Sequence, residues 1–263
     1  MFHKAMILFF LSLLPGKTTQ GDEPILVGCA ANFRLAMSRI LSQFEIEHQQ
    51  SEIKVVYASS GKLAAQILHG APYDIFLAAD LIRPQRILQA GFGFSKVVPY
   101  AVGSLIVFSQ RGLSSDPWNV LLTDPGLSRI AIANPALAPY GKATMDTIIQ
   151  LGLFNQIESK IVYGENIMQT AHLTLKATDI GFLSRSSLEI TALKPFNREG
   201  TYWRPIDTSL HEPIVQGMLL LKTGSSKIIA RTFFEFMTSD KVSQILVRAG
   251  YTTPRLNPKG ATH

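Results

Sequence analysis

Residues 55–80 of this chain have the sequence VVYASSGKLAAQILHGAPYDIFLAAD. The segment contains two apolar runs, at 55–58 and 75–79, and a helical pattern lies between them. A strand, a short polar turn, a helix and a second strand form a βαβ unit, which places a ligand site at the carboxyl ends of the strands. We therefore expect an α/β protein.

The turn between the first strand and the helix contains Ser59, Ser60 and Gly61. The first N–H groups of a helix have no intrahelical partner, and the helix dipole adds partial positive charge there. Such a turn can bind an anion, but a serine at this position can also simply cap the helix. Both roles stay open for Ser60, whereas Ser59, on the other side of the turn, is expected to contribute little to either. A phosphate loop is rejected because its earlier glycine and following Ser or Thr are missing.

A second turn of this kind follows the apolar run at residues 25–30, where Ala31 and Asn32 precede another helical pattern. Asparagine is also a common N-cap, but two polar turns beside each other begin to form a pocket. Strands and helices alternate through the rest of the chain, which predicts parallel-type sheets.

Composition and charge narrow the possible functions. Hydrophobic residues make up 46% of the 263 residues and charged residues 17%, as in a folded globular protein of one large domain or two lobes. The formal net charge of +6 is spread along the chain without a run of five like charges. This pattern disfavours a nucleic-acid surface, although a mild positive field favours encounter with a small anion.

The first 20 residues are predicted to be a signal peptide. A basic start precedes an apolar core from Ala5 to Leu14, which is too short to span a membrane as a mature helix. Pro15 and Gly16 break this core, and we place the cleavage between Gly16 and Glu23. No cysteine directly follows the core to carry a lipid anchor, so we expect a soluble, exported mature protein.

Few residues suggest catalysis. The single cysteine, Cys29, lies in the first apolar run, where a small hydrophobic role is expected rather than a nucleophilic one. Gly-x-Ser-x-Gly is absent, and the histidines do not have metal-ligand spacing. An exported hydrolase is therefore only an alternative.

Taken together, these segments resemble the periplasmic molybdate-binding proteins of ABC-type molybdate importers. The resemblance extends from about residue 25 to residue 251. The matching segments are AANF at 30–33, ASSG at 58–61, GAPYD at 70–74, FLAAD at 76–80, NP at 134–135, PYGKA at 139–143, ENI at 165–167 and GFL at 181–183.

This resemblance implies a two-lobed periplasmic solute-binding protein of type II. Each lobe would be a mostly parallel sheet flanked by helices, with the ligand in the interlobe cleft. We expect the first lobe to comprise residues 24–103 and 221–252, the second lobe residues 104–220, and a tail to follow at 253–263. Two chain crossings would then act as a hinge that closes on the ligand.

The resemblance also implies which residues contact the ligand. Carried over by motif, they are Ala31 through its backbone N–H, Asn32, Ser60, Tyr140 and Ile167. Some relatives use a tyrosine hydroxyl where this chain has Ser184, and the shorter side chain leaves that contact open. None of these residues is Lys, Arg or His, so neutral donors would hold a dianion.

The function implied is a non-enzymatic receptor that captures molybdate, and also tungstate, and delivers it to the membrane permease of an ABC importer. We expect a monomer that has no cofactor, no site for a free metal cation and no nucleic-acid partner. A two-lobed receptor for another anion, such as sulfate or an organic acid, is the alternative within the same class.

Overall fold

The computed structural model describes residues 24–48 and 52–254. The predicted signal peptide, residues 1–20, lies outside the described residues, as does the predicted tail from residue 255 onward. None of the described helices is long and apolar enough to cross a membrane.

The described part of the chain alternates between strands and helices. Its strands are β1 (Ile25–Ala30), β2 (Ile53–Ala58), β3 (Ile75–Leu77), β4 (Val98–Gly103), β5 (Leu105–Phe108), β6 (Ile130–Ala133), β7 (Ile161–Gly164), β8 (Ile180–Ser184), β9 (Trp203–Pro205) and β10 (Ile214–Leu220). Its α-helices are α1 (Arg34–Glu47), α2 (Ser60–Leu68), α3 (Ile82–Gln89), α4 (Trp118–Leu121), α5 (Pro139–Gln150), α6 (Phe154–Ile157), α7 (Ile167–Lys176), α8 (Ile228–Phe236) and α9 (Asp240–Arg248). A short 3₁₀ turn, Ala31–Phe33, joins β1 to α1.

These strands form two five-stranded sheets, one in each lobe, with the orders β2-β1-β3-β10-β4 and β7-β6-β8-β5-β9. In each sheet the first three strands are parallel, and the last two pair antiparallel. Each sheet is therefore mixed. The carboxyl ends of its parallel strands face the cleft between the lobes.

The chain passes between the sheets at Ser104 and again within residues 206–213. This second passage corrects the predicted boundary, which left residues 214–220 in the second lobe. Strand β10 pairs with β3 and β4 of the first sheet instead. An apolar run indicates that a strand is buried but not which sheet it joins, so no local signal predicts this pairing.

Strand β4 contains Pro99, which interrupts the apolar pattern of the strand. In the structure β4 is the last strand of its sheet, and an edge position tolerates a proline, which cannot donate to the ladder. A β-bulge lies opposite it, between Gln216 and Gly217 of β10.

Hydrophobic clusters cover both faces of the first sheet. Phe33, Phe44 and Phe233 pack on one face with residues of α1, α8 and α9, whereas Leu63 and Ile67 of α2 pack on the other. Burial on both faces explains why these strands are continuous apolar runs. Cys29 lies wholly inside this core, where burial raises the pKa of its thiol and disfavours the nucleophilic thiolate.

Candidate functional site

A small cavity lies between the two lobes. It is far smaller than a pocket for a drug-sized molecule, so the ligand that it suits is a small ion. The residues that line it are Ala30, Ala31, Asn32, Ser59, Ser60 and Ala79 from the first lobe, and Ala138, Pro139, Tyr140, Asn166 and Ile167 from the second. Five of the six residues expected from the sequence are therefore brought together, and Ser184 is not.

Helical N-termini surround this cavity. The 3₁₀ turn after β1 and helix α2 after β2 contribute from the first lobe, and helices α5 and α7, which follow β6 and β7, contribute from the second. The first N–H groups of each have no intrahelical acceptor, and the dipoles of the α-helices direct partial positive charge to the same place. The arrangement is therefore suited to an anion.

Ser60 is held in a defined orientation by the neighbouring strand end. Its Oγ accepts a hydrogen bond of 2.9 Å from the backbone N–H of Ala79, which follows β3. The side chain is buried, with 1% exposure. Because the oxygen accepts from Ala79, its own hydrogen remains available for donation into the cavity.

Capping of α7 leaves one N–H group available. The side-chain Oδ1 of Asn166 accepts from the backbone N–H groups of Met168 and Gln169, at 3.0 and 3.1 Å. This cap satisfies the second and third residues of the helix but not the first, Ile167. Asn166 and Ile167 both line the cavity.

Tyr140 is the second residue of α5, after Pro139, so its N–H group also has no intrahelical acceptor. Its side chain extends away toward the first lobe, where Oη accepts a hydrogen bond of 3.4 Å from Nε2 of Gln216. It also packs so closely over Gly103 that a Cβ atom there would overlap Oη. Burial raises the pKa of this hydroxyl well above its usual value.

Asn32 belongs to a buried polar network. Its Nδ2 donates to Oε1 of Gln216 at 3.0 Å and to Oη of Tyr251 at 3.1 Å, and its carbonyl accepts from the Tyr251 hydroxyl at 2.9 Å. Tyr100 adds a further contact, since its hydroxyl lies 3.0 Å from Oε1 of Gln216. The side-chain amide of Asn32 is thus committed to the network, which leaves its backbone N–H for the cavity.

Ser184 has a different environment from the one its motif position suggested. It is fully buried, and its Oγ lies 2.7 Å from Oγ of Ser187 and accepts a hydrogen bond of 3.0 Å from Ser186. These partners come from the turn after β8. Ser184 is not among the residues that line the cavity.

Ser59 differs from the sequence-based expectation. It lies beside Ser60 on the cavity wall rather than on the opposite side of the turn. The sequence signal for a role of Ser59 in the site was its position as one of two hydroxyl residues between a strand and a helix. The sequence alone does not predict how the turn is rotated, and therefore not which hydroxyl faces the cavity.

The GAPYD segment has a structural role in the first lobe. Asp74 is almost completely buried and accepts a 2.7 Å hydrogen bond from the backbone N–H of Leu26. It also forms an ion pair of 3.0 Å with Lys227. This carboxylate joins the start of β3 to β1 and to the residue before α8, away from the cavity.

No charged side chain occurs among the described residues that line the cavity. Charges lie at the rim instead, where Lys62 of the first lobe forms an exposed ion pair of 2.9 Å with Glu165 of the second. A bound anion would therefore contact neutral hydrogen-bond donors. Within the described chain there is also no group of three or more His, Cys, Asp or Glu that could hold a metal ion.

Several contacts hold the two lobes together beside the cavity. The backbone N–H of Gly61 donates a hydrogen bond of 2.9 Å to the carbonyl of Leu137. Arg83, which is paired with Asp80, donates to the carbonyl of Ala136 at 3.0 Å. These contacts show that the structure is a closed arrangement of the lobes.

A family model for bacterial extracellular solute-binding proteins matches residues 25–252. The chain belongs to that family. Two mixed sheets with a small site between them are consistent with capture of a solute by lobes that close around it.

Named relatives of this solute-binding protein share most of its length. The molybdate-binding protein ModA of Rhodobacter capsulatus is 30% identical over 87% of this chain and 88% of its own. The protein of the same name from Azotobacter vinelandii is 29% identical over 86% of this chain and 88% of its own. A solved structure, the periplasmic molybdate-binding protein of Azotobacter vinelandii, superimposes with a TM-score of 0.80, with 29% identity over 88% of this chain and 100% of that one.

Proposed function

We propose that this solute-binding protein is a periplasmic receptor that captures molybdate, and also tungstate, for the membrane permease of an ABC importer. One observation carries the proposal: helical N-termini from both lobes converge on a single small cavity whose described lining residues are uncharged. Such dipoles and N–H groups stabilise a desolvated anion without a counter-charge. The molybdate-binding relatives from Rhodobacter capsulatus and Azotobacter vinelandii support the choice of anion.

In this proposal most donors are backbone groups. The N–H groups of Ala31, Asn32, Ser60, Tyr140 and Ile167 surround the oxyanion, and the Ser60 hydroxyl adds a side-chain donor. All five of these N–H groups lie at the first or second position of a helix or 3₁₀ turn, where no intrahelical acceptor competes for them. The sixth residue expected from the sequence, Ser184, is not included because its hydroxyl is engaged by Ser186 and Ser187.

A cavity lined by donors favours a fully ionised oxyanion. A protonated anion such as monohydrogen phosphate brings an O–H group that needs an acceptor, and a buried donor without one is costly by about 1–3 kcal/mol. The side-chain oxygen of Asn166 is already used by the helix cap. Sulfate is a tetrahedral dianion like molybdate, so we attribute discrimination between these two to the size of the closed cavity.

Capture and release require no chemical step, and we propose that the protein is not an enzyme. Ser60 is the residue that a hydrolase would use as nucleophile, but its Oγ accepts from the Ala79 N–H. The described lining residues include no His, Asp or Glu that could act as its general base.

A thermal-shift screen of the purified mature protein tests the proposal. Molybdate and tungstate should stabilise the fold by about 2.7 kcal/mol at 100 times Kd, whereas sulfate, phosphate and citrate should have no effect even at millimolar concentration. An equal shift with sulfate would overturn the molybdate assignment and leave a receptor for another anion. A shift with citrate alone would indicate an organic acid.

A further inference from the structure

Ser59 carries a buried hydroxyl that the fold does not use. The residue has 2% exposure, and its Oγ has no hydrogen-bond partner among residues 24–48 and 52–254. It lines the interlobe cavity beside Ser60. A hydroxyl left unpaired inside a protein is destabilising, so the presence of this one calls for a partner outside the fold.

Helix capping does not account for this hydroxyl. Ser59 occupies the N-cap position of α2 with extended backbone angles, φ −63° and ψ 147°, yet its side chain makes no capping hydrogen bond. An N-cap side chain can accept a hydrogen bond from the N–H group two residues later, which here is that of Gly61. That N–H group instead donates to the carbonyl of Leu137 in the second lobe. Contact with the second lobe thus replaces the usual cap and leaves the Ser59 hydroxyl at the cavity.

We propose that Ser59 is a further ligand-binding residue, whose hydroxyl donates a second side-chain hydrogen bond to the oxyanion; this inference rests on the proposed function. Three independent features of the residue agree with it: burial, an unpartnered oxygen and a position on the cavity wall. Helix α2 then offers two adjacent hydroxyls to the anion together with its N-terminal dipole.

The two serines should respond differently to loss of the hydroxyl. Ser60 stabilises the ligand-free protein because its oxygen accepts from Ala79. Ser59 makes no such bond, so its removal should leave the ligand-free protein equally stable or more stable. A loss of affinity without a loss of stability is therefore the signature of Ser59 as a binding residue.

Calorimetric titration with sodium molybdate, paired with thermal unfolding of the ligand-free protein, tests the inference. In Ser59→Ala we expect Kd to rise roughly tenfold to a hundredfold, as for loss of a hydrogen bond to a charged group, with an unchanged or higher melting temperature. Ser59→Gly removes the same hydroxyl and keeps a residue that N-caps tolerate, so it should give the same result. Ser187→Ala is a matched control, because Ser187 is also a buried serine but pairs with Ser184 away from the cavity.

The outcomes separate this inference from the function on which it rests. Absence of molybdate binding by the unmodified protein would overturn the proposed function. Binding by the unmodified protein together with equal affinity in folded Ser59→Ala and Ser59→Gly would overturn only the role of Ser59. A lower melting temperature with unchanged Kd would identify Ser59 as a structural residue and would overturn the inference as well.

Discussion

The hydroxyl of Tyr140 in the second lobe accepts a hydrogen bond of 3.4 Å from the side-chain amide of Gln216 in the first. Tyr140 therefore contributes to the site with two separate parts: its backbone N–H lies at the start of α5, and its side chain extends to Gly103 at the end of β4. The ring braces the two lobes, and the N–H group remains for the anion.

Removal of the Tyr140 hydroxyl tests this division. We expect Tyr140→Phe to reduce stability by about 0.5–1.5 kcal/mol, as for a typical buried hydrogen bond, and to change Kd for molybdate less than about threefold. Denaturant unfolding and calorimetry measure the two effects. A loss of affinity of tenfold or more with little change in stability would show that the hydroxyl contacts the ligand.

Ser60→Ala should reduce both the affinity for molybdate and the stability of the protein. The substitution deletes the proposed donor to the anion and also leaves the buried N–H of Ala79 without its acceptor. We expect Kd to rise about tenfold to a hundredfold and the free energy of unfolding to fall by about 1–3 kcal/mol. Unchanged molybdate affinity in the folded variant would reduce Ser60 to a structural residue.

A methyl group at Gly61 should interfere with closure. A Cβ atom there would lie 2.9 Å from the carbonyl oxygen of Leu137 and 3.1 Å from its Cα, both in the opposite lobe. Alanine also suits a helix better than glycine, so Gly61→Ala should not lower the stability of the ligand-free protein. We expect a loss of affinity of about fivefold to a hundredfold, as for overpacking at a tight contact.

Calorimetry and small-angle scattering check this prediction, with Lys62→Ala as control. That variant removes only the exposed ion pair with Glu165 and should weaken binding less than about fivefold. If Gly61→Ala binds molybdate as the unmodified protein does and becomes as compact on adding it, the contact with Leu137 does not govern closure.

The pH dependence of binding follows from the uncharged lining. Burial raises the pKa values of Tyr100, Tyr140 and Tyr251 above their usual value, so these hydroxyls remain neutral throughout the physiological range. We therefore expect Kd for molybdate to be constant from about pH 7 to pH 9. A change of more than about tenfold across that interval would point to a titrating group in the site.

Stability should instead decrease in the alkaline range. The folded pKa values of these tyrosines are raised, so their contribution to stability is fully present below the unfolded value of about 10. It is lost as pH rises above that value, because the unfolded tyrosines ionise first, with a slope of up to about 1.4 kcal/mol per pH unit for each. Denaturant unfolding at a series of alkaline pH values measures this slope, which should be smaller in Tyr100→Phe.

Local sequence signals predicted much of the fold and of the site. Turn residues such as Asn32 and Ser60 follow continuous apolar strands, and parallel strands bring their carboxyl ends to one edge, so their proximity could be expected. The roles of Ser59 and Gly61 could not be predicted from the sequence. That of Ser59 depends on the rotation of a turn, and that of Gly61 on contact with Leu137 in the other lobe.

Contacts between residues that are distant in sequence were the other part of the structure that the sequence did not predict. Strand β10 has the same apolar character whichever sheet it joins, and Gln216 within it gives no sign that it meets Asn32, Tyr100 and Tyr140. Pro99 likewise interrupts the apolar pattern of β4, so the pattern does not reveal this edge strand. In each case the decisive partner is distant in sequence, and periodicity contains no information about it.

The network around Asn32 has a consequence for biosynthesis. Asn32 follows the first strand, whereas its partners Gln216 and Tyr251 belong to the last strand and to the segment after α9. A chain synthesised from its N-terminus onward therefore contains Asn32 long before the residues that orient it. The proposed anion site can form only after the C-terminal part of the chain has been added, so an incomplete chain would not bind the anion.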